Sequence, residues 1–308
     1  MTDVLEPTPA AAASPENLNE MLGLADKPES LGRQAWNRFR RHKLAIIGSG
    51  MLLILISGFW IGEWLSPYGI GETNVIERKQ GPSLSHPFGT DALGRDYFVR
   101  AMFGGQFSIR IALLTAFLAT TLGTLIGAIS GYFAGWVDAI SNFVINVLLS
   151  IPLILVLIIF GREYGASPTA IAFLIAALSW TRAGRLVRAQ VLQLKESEFV
   201  QAARAAGAGP GRIIFRHLLP NLVGTLLVEI TLLAGTAIIL ESTLSFLGLG
   251  VQAPATTLGT LIDESAGNID TAPWEVLIPG AIVTMIILSF NFIGDALRDA
   301  LDPKSDSE

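Results

Sequence analysis

Cysteine is absent from the 308 residues of this chain. The sequence therefore excludes disulfide bonds and thiolate–metal sites, and it leaves the redox compartment undetermined. The three histidines, His42, His86 and His217, lie far apart in the chain and lack the close spacing of metal ligands. We therefore expect no metal site in this chain.

Motifs for nucleotide binding and for hydrolysis are also missing. No lysine follows a glycine, which excludes the phosphate-binding loop G-x-x-x-x-G-K. The stretch Gly248-Leu-Gly250-Val-Gln-Ala253 fits the dinucleotide pattern G-x-G-x-x-A. It follows an apolar run rather than a β-strand, so we interpret the match as chance. Neither G-x-S-x-G nor H-E-x-x-H occurs. The sequence predicts that this chain alone catalyses no reaction and carries no cofactor.

Charged residues are scarce. They make up 15% of the chain, against roughly 25% in ordinary soluble domains, while 51% of the residues are hydrophobic. Apolar runs of about 17–25 residues, long enough to span a bilayer as helices, recur along the sequence. A shorter run, Pro168–Trp180, reaches that length if its helix continues to about Val187, with Arg182 and Arg185 snorkelling to the interface. The sequence thus predicts an all-α integral membrane protein with six transmembrane helices, the other five being Leu44–Leu65, Ile109–Phe133, Ala139–Phe160, Asn221–Phe246 and Val276–Ile293.

The cations are concentrated in two places, before the first span and between the fourth and fifth. Positive charge marks the cytoplasmic side, so we expect the N-terminus, the C-terminus and the segment 182–219 to be cytoplasmic. The loops 66–108 and 247–275 should then be external. Both basic stretches lie beside predicted membrane spans, which argues against a nucleic-acid partner. The twelve cations concerned are Arg33, Arg38, Arg40, Arg41, Lys43, Arg182, Arg185, Arg188, Lys195, Arg204, Arg212 and Arg216.

Two segments flank the predicted spans. Residues 1–32 are rich in Ala, Pro and Glu and should be disordered in the cytoplasm, without the cationic start and cleavage site of a signal peptide. Residues 33–43 place Trp36 and Phe39 on one side of a basic helix, which suits an interfacial helix in contact with membrane lipid. The six-span domain would cover 44–303, followed by a tail at 304–308.

The cytoplasmic segment contains an unusual small-residue helix. Glu198–Gly207 carries Ala202, Ala203, Ala205 and Ala206 and ends in a glycine, which readily adopts the left-handed cap that stops a helix. Pro210 suits the first turn of a second helix, which Pro220 should interrupt. A face of methyl groups can lie deep in a groove of another protein. An ordinary amphipathic loop helix is the alternative, and composition alone does not separate the two.

Polar residues in and beside the spans are the remaining candidates. Glu229 and Glu241 lie within the fifth span, where an ionisable group is a functional hypothesis by default. For Glu229 the alternative is a hydrogen bond to a Ser or Thr of a neighbouring helix, and for Glu241 it is a structural role at the turn into the outer loop. Asn291 and Asp295, near the inner end of the sixth span, would either serve gating or hold helix packing. In the outer loop, a local ion pair competes with contact to an external partner for Asp91, Arg95 and Asp96.

Five stretches, in order, resemble the C-type permease subunit of bacterial dipeptide, oligopeptide and nickel ABC importers. The resemblance covers about Ser30–Lys304. The stretches are Arg38-Phe-Arg-Arg-His-Lys-Leu-Ala, His86-Pro-Phe-Gly-Thr-Asp-Ala-Leu-Gly-Arg-Asp96, the "EAA" element from Gln201-Ala-Ala through Gly207 to Leu219-Pro220, Glu241-Ser-Thr-Leu-Ser-Phe-Leu-Gly-Leu-Gly250, and Phe290-Asn-Phe-Ile-Gly-Asp-Ala-Leu-Arg-Asp-Ala-Leu-Asp-Pro303.

The resemblance implies a type I ABC importer permease fold in a bacterial inner membrane. It implies assembly with a second homologous permease, two ABC ATPase subunits that bind ATP and Mg, and an external solute-binding protein. The helix 198–207 would couple this chain to an ATPase, peptide would be the solute, and Glu229, Glu241 and Asn291 are possible pathway or gating residues. The coupling residues would be Glu198, Gln201, Ala202, Ala203, Arg204, Gly207, Leu219 and Pro220.

The chain departs from the family pattern at Gln201, where the glutamate of the EAA element is replaced, and at Phe143 and Asn146, where the family often has Arg and Asp. These departures bear on the solute, so a permease for nickel or another small solute is an alternative. A secondary transporter is a further alternative, but the internal repeats with paired broken helices expected of one are not evident.

Overall fold

The computed structural model describes residues 31–164, 167–253 and 255–301. The predicted tail 304–308 and all but the last two residues of the predicted disordered segment 1–32 lie outside these ranges. The described part is nearly all helical, apart from a single bridge between Thr90 and Asp96 in the outer loop. In chain order the helices are α1 Leu31–Arg41, α2 Lys43–Leu65, α3 Tyr97–Phe133, α4 Gly135–Ser150, α5 Leu153–Tyr164, α6 Pro168–Leu194, α7 Glu198–Ala205, α8 Pro210–Phe246, α9 Leu258–Ser265 and α10 Trp274–Leu301.

Within the described residues, five helices are long and apolar enough to cross a membrane, namely α2, α3, α6, α8 and α10. The pair α4 and α5 passes the same test together, and the number is six when the two are taken as one span. The prediction of an all-α membrane protein with six spans is therefore confirmed, with one of the spans broken.

The broken span corrects the prediction of one continuous helix over Ala139–Phe160. The axes of α4 and α5 are bent by 84°. Pro152 causes the break, because its ring disfavours helical backbone at the residue before it. Ile151 accordingly has extended backbone, with φ −97° and ψ 128°.

Several predicted loop residues belong to helices. The predicted external loop 66–108 ends at Asp96, because the Asp96 side chain caps α3 by accepting a hydrogen bond of 2.8 Å from the Val99 N–H. The predicted outer loop 247–275 contains α9, and Trp274 already belongs to α10. Much of the predicted cytoplasmic loop 182–219 is helical too, since α6 continues to Leu194.

The proline at the inner end of the fifth span does not interrupt its helix, contrary to the prediction. The chain is helical from Pro210 to Phe246, and Ile213–Leu218 forms a π-helical segment immediately before Pro220. In this wider turn the Leu219 N–H donates to the carbonyl of Ile214. The changed hydrogen-bond register accommodates a residue that has no N–H of its own.

The centre of the molecule is the contact between α3 and α6. Glycines repeat every four residues on α3, at Gly123, Gly127 and Gly131, and they bring its backbone against α6. A Cβ atom on Gly123 would lie 2.6 Å from the Trp180 carbonyl oxygen, and one on Gly131 would lie 2.9 Å from the Arg188 carbonyl oxygen. Small residues allow such close packing between membrane helices, where apolar side chains gain nothing by leaving lipid.

Candidate functional site

The predicted helix at the cytoplasmic end exists as α7, Glu198–Ala205. Gly207 has φ +83°, and its N–H donates to the Arg204 carbonyl at 3.0 Å. The N–H of Ala208 donates to the Ala203 carbonyl, also at 3.0 Å. These two bonds form a Schellman cap, which requires the left-handed backbone that glycine adopts without strain. The predicted helix stop is confirmed.

The sequence analysis did not identify Val200 as the residue that anchors α7. Val200 is fully buried in one apolar cluster with Ile213, Ile214 and Leu218, which belong to the π-helical segment of α8. Leu219 packs against the same cluster, while Pro220 is exposed. Val200, one of two large apolar residues in an otherwise small and polar helix, was the available signal. Through this cluster, α7 is fixed to the inner end of a membrane span.

The other side of α7 has no partner among the described residues. Phe199, Ala202, Ala203 and Ala206 follow the spacing i, i+3, i+4, i+7, which places them on one face of a helix. Ala203 is half-buried and the other three are exposed. The charged and polar residues Glu198, Gln201, Arg204, Arg212 and Arg216 are exposed as well. The result is an apolar surface made mostly of methyl groups, with charged residues of both signs around it. The burial of Val200 on the opposite side holds this surface in place.

Glu229 pairs with a cation, which neither sequence-based alternative foresaw. The Nε of Arg182 lies 3.4 Å from Oε1 of Glu229. The Glu229 side chain is 6% exposed and the Arg182 side chain 67% exposed. A buried carboxylate on the adjacent helix thus attracts Arg182, and its predicted snorkelling to the interface stays a prediction.

Two further arginines of α6 reach the broken span. Arg185 Nη2 donates to Oδ1 of Asn146 at 2.6 Å. Arg188 binds both carboxylate oxygens of Asp138, and the Nη2–Oδ2 distance is 2.6 Å. The predicted snorkelling of Arg185 also stays a prediction. Together with the Arg182 contact, these contacts form a row along one face of α6. The spacing of the three arginines in the sequence was consistent with such a row, but it did not identify their partners.

Glu241 lies at a junction of three elements at the outer end of α8. It is fully buried, and its Oε1 accepts a hydrogen bond of 2.7 Å from the Ser245 hydroxyl. Ser245 also lies 3.4 Å, oxygen to oxygen, from Thr257, the residue that caps α9. The Ser108 hydroxyl of α3 accepts from the Leu258 N–H at 3.2 Å. This geometry agrees with the interpretation that Glu241 holds the turn into the outer loop, and a gating role stays a prediction.

The possible pathway residues do not form one cluster. Glu229 and Glu241 lie twelve residues apart on α8, which corresponds to about 18 Å along a helix. Asn291 is half-buried on α10, and its Oδ1 lies 3.5 Å from where a Cβ on Gly235 of α8 would be. Asp295 is exposed, so the idea that it holds helix packing is wrong.

In the outer loop, the three predicted residues are engaged within the chain. Arg95 Nε lies 2.6 Å from Oδ2 of Asp91. The same Asp91 oxygen accepts from Arg100 Nη1 at 2.9 Å, and Arg100 Nη2 reaches Oε2 of Glu264 on α9 at 2.7 Å. Asp96 accepts from the Val99 N–H and contacts His86 Nδ1 at 2.7 Å. These contacts fasten the outer loop to α9 and α3.

No three His, Asp or Glu side chains in the described ranges are placed to hold a metal ion. The acidic side chains described above instead contact arginines, hydroxyls, backbone N–H groups and a histidine. The arrangement therefore provides an exposed face on α7, a row of cations on α6, and an outer cap. The outer cap consists of the outer loop and α9, joined by ion pairs.

Residues 123–307 match the family described as binding-protein-dependent transport system inner membrane component. Residues 30–82 match the N-terminal TM domain of oligopeptide transport permease C. The dipeptide transport system permease protein DppC of Alkalihalophilus pseudofirmus is 41% identical over 89% of this chain and 90% of its own length. The oligopeptide transport system permease proteins OppC of Bacillus subtilis and Escherichia coli are 36% and 37% identical, over 98% and 94% of this chain and 97% and 98% of their own lengths.

A solved structure of the inward-facing MetNI methionine ABC transporter is similar in fold. The TM-score is 0.52 at 20% sequence identity, over 65% of this chain and 94% of that chain. The importer-permease fold that the sequence resemblance implied is confirmed, and the chain is a multi-pass protein of the inner membrane. It belongs to the family of binding-protein-dependent transport system inner membrane components.

Proposed function

We propose that this chain is the transmembrane permease subunit of an ATP-driven importer that moves peptides into the cytoplasm. Relatives named as dipeptide and oligopeptide permeases match it over almost their whole lengths, which supports peptide as the solute. The observation that carries the proposal is α7, a capped helix with an unpartnered small-residue face, joined rigidly to a membrane span.

Two ABC ATPase subunits would bind the ATP and Mg, and this chain would hydrolyse nothing itself. The exposed face of Phe199, Ala202 and Ala206 would lie in a groove of one ATPase, where methyl groups permit close backbone approach. Arg204, Arg212 and Arg216 would pair with acidic residues at the rim of that groove. Glu198, Gln201, Ala203, Gly207, Leu219 and Pro220 complete the proposed coupling set.

The path of the movement follows from the apolar cluster under α7. When ATP binding closes the ATPase dimer, the groove would carry α7 with it. Because Val200 is packed into the π-helical segment, α7 and the inner end of α8 would move as one body. Rigid-body motion of packed elements is a usual way for a local event to reach a distant site. Glu229, on α8, would move relative to its neighbours.

A second homologous permease would complete the pathway, and both termini would be cytoplasmic. An external solute-binding protein would dock on the outer cap. Asp91, Arg95 and Asp96 would shape that surface by holding the outer loop against α9 rather than by binding the partner directly. The exposed apolar side chains Val75, Ile76 and Leu84 of the same loop are available for the contact. Membrane lipid would surround α1, where Trp36 and Phe39 stack with ring centroids 5.9 Å apart.

The proposal is tested by peptide uptake in cells that lack the native gene and carry either the parental chain or a variant of α7. The parental chain should restore ATP-dependent uptake of unmodified di- to pentapeptides. Ala203→Asp should abolish uptake and lower co-purification of the ATPase, because it places an unpaired carboxylate in a closely packed contact. Ala203→Ser, which adds a small neutral group, is the matched control and should retain most uptake. Parental cells without uptake would refute peptide import, and full activity of Ala203→Asp would refute the role of α7.

A further inference from the structure

Arg185 places a positive charge within α6, one of the candidate membrane-spanning helices. Its Nη2 donates to Asn146, which lies eleven residues along α4 from Gly135. That distance corresponds to about 16 Å of helix, roughly half of a hydrocarbon core of about 30 Å. Trp136, at the start of α4, is exposed where an interfacial aromatic residue is expected. The Arg185 guanidinium therefore lies beside the middle part of α4, within the membrane-spanning segments.

The charge of Arg185 is not neutralised by the part of the chain that the structure describes. Arg182 has Glu229 and Arg188 has Asp138 as acidic partners. Arg185 has the neutral amide of Asn146, and no carboxylate of the described residues lies within 4.0 Å of it. The row of three arginines thus keeps one net positive charge.

Arg185 also lies on an exposed face of the chain. A charged side chain that faces lipid within the hydrocarbon core is disfavoured, so we expect this face to meet water or another protein. The break between α4 and α5, where Ile151 and Pro152 are exposed, begins one turn after Asn146. Because α4 ends at this break, its last carbonyls have no helical N–H partners. Such irregular backbone within a membrane is found only where it is buried in protein or lines a water-filled cavity. Exposed backbone beside an exposed cation favours the cavity.

We propose that Arg185 binds a carboxylate of the transported solute as it passes this point of the pathway, with Asn146 as the residue that positions the guanidinium. Asn146 occupies one N–H of Nη2 and leaves Nε and Nη1 free. A guanidinium edge of this kind matches the two oxygens of a carboxylate. Because Asn146 is neutral, the positive charge of Arg185 can still attract a solute carboxylate. An acidic residue at position 146 would neutralise that charge. The inference rests on the proposed peptide import, because an unmodified peptide carries a C-terminal carboxylate.

The test compares Arg185→Gln, Arg185→Lys and Asn146→Asp in the importer assembled with its own partner subunits. Uptake of unmodified tritiated di- to pentapeptides is measured over a concentration range, together with co-purification of the second permease and the ATPases. Arg185→Gln should lower the maximal uptake rate about tenfold without changing the half-saturating concentration, because an external protein captures the solute first. Arg185→Lys should recover part of the rate. Asn146→Asp should lower the rate as Gln does, because its carboxylate neutralises Arg185 in place. Arg162→Gln removes the same charge from the exposed last turn of α5 and should behave as the parental chain.

The alternatives give different results. A parental uptake rate in Arg185→Gln overturns the inference and leaves peptide import intact. A parental rate in Asn146→Asp with a low rate in Arg185→Gln assigns Arg185 a structural role and also overturns it. Loss of the second permease from the Arg185→Gln complex would indicate that an acidic residue of that permease pairs with Arg185. That result also overturns the inference. If the parental importer takes up no unmodified peptide, the proposed function fails and this inference fails with it.

Discussion

Arg182 on α6 and Glu229 on α8 form an ion pair across two membrane helices, with Nε and Oε1 3.4 Å apart. The pair is asymmetric, because the carboxylate is buried and the guanidinium is largely exposed. Removing the arginine leaves a buried carboxylate without a cation, whereas removing the carboxylate leaves an arginine that water or a partner can solvate. This asymmetry makes the two single substitutions unequal.

We predict that Arg182→Gln lowers the unfolding free energy of the purified protein by about 1–2 kcal/mol, less than for a fully buried pair because Arg182 is exposed. Glu229→Gln should have a smaller effect. The double variant Arg182→Gln/Glu229→Gln should be more stable than Arg182→Gln alone, since it removes the unpaired charge. Thermal unfolding in detergent, followed by tryptophan fluorescence, measures all three. Additive losses in the double variant would contradict the pairing.

The cap of α7 gives a second prediction. Gly207→Val should abolish transport while the chain remains in the membrane, because a β-branched residue is strongly disfavoured at φ +83°. Gly209→Val is a matched control. A Cβ atom at either position would meet nothing within 4 Å, but Gly209 has ordinary extended backbone, with φ −73° and ψ 164°. Uptake and ATPase co-purification should be lost in the first variant and retained in the second. Equal behaviour of the two variants would show that the turn after α7 does not depend on the left-handed cap.

The orientation can be measured by labelling, because the chain has no cysteine of its own. Leu84→Cys lies in the predicted external loop at a fully exposed position, and Gly209→Cys lies in the exposed turn after α7. A membrane-impermeant maleimide should label the first variant in intact cells. It should label the second only after the membrane is permeabilised. The reverse pattern would overturn the proposed topology.

The contact between α3 and α6 yields a prediction about stability. Gly127→Val should prevent stable folding, because a Cβ on Gly127 would lie 3.1 Å from the Arg188 backbone nitrogen and closer still to the Gly184 carbonyl oxygen. The backbone of α6 cannot yield as a flexible side chain could. Gly50→Val on α2 is the control, since nothing lies within 4 Å of the added atom. Protein yield and detergent thermostability report the difference, and a normal yield of Gly127→Val would contradict this packing.

Local features of the chain were predictable. Six membrane passages follow from the lengths of the apolar runs, and the stop of α7 follows from Gly207 after a short run of alanines. The early start of α3 and the break in the third span were missed, although Asp96 and Pro152 were visible as a capping residue and a helix breaker. The length of an apolar run does not show where its helix begins or breaks, whereas a capping residue and a proline do.

The sequence by itself determined that the chain enters the membrane and where α7 ends, because each depends on residues within a few helical turns. It did not determine which carboxylate Arg182 meets, why Arg185 keeps its charge, or that Val200 fastens α7 to α8. These relationships join residues far apart in the sequence, and they exist only once close glycine packing has set α3 against α6 and placed α8 and α4 beside them. In a medium that cannot solvate polar groups, the partners of each charge are decided by where the helices bring them, and that is a property of the tertiary structure.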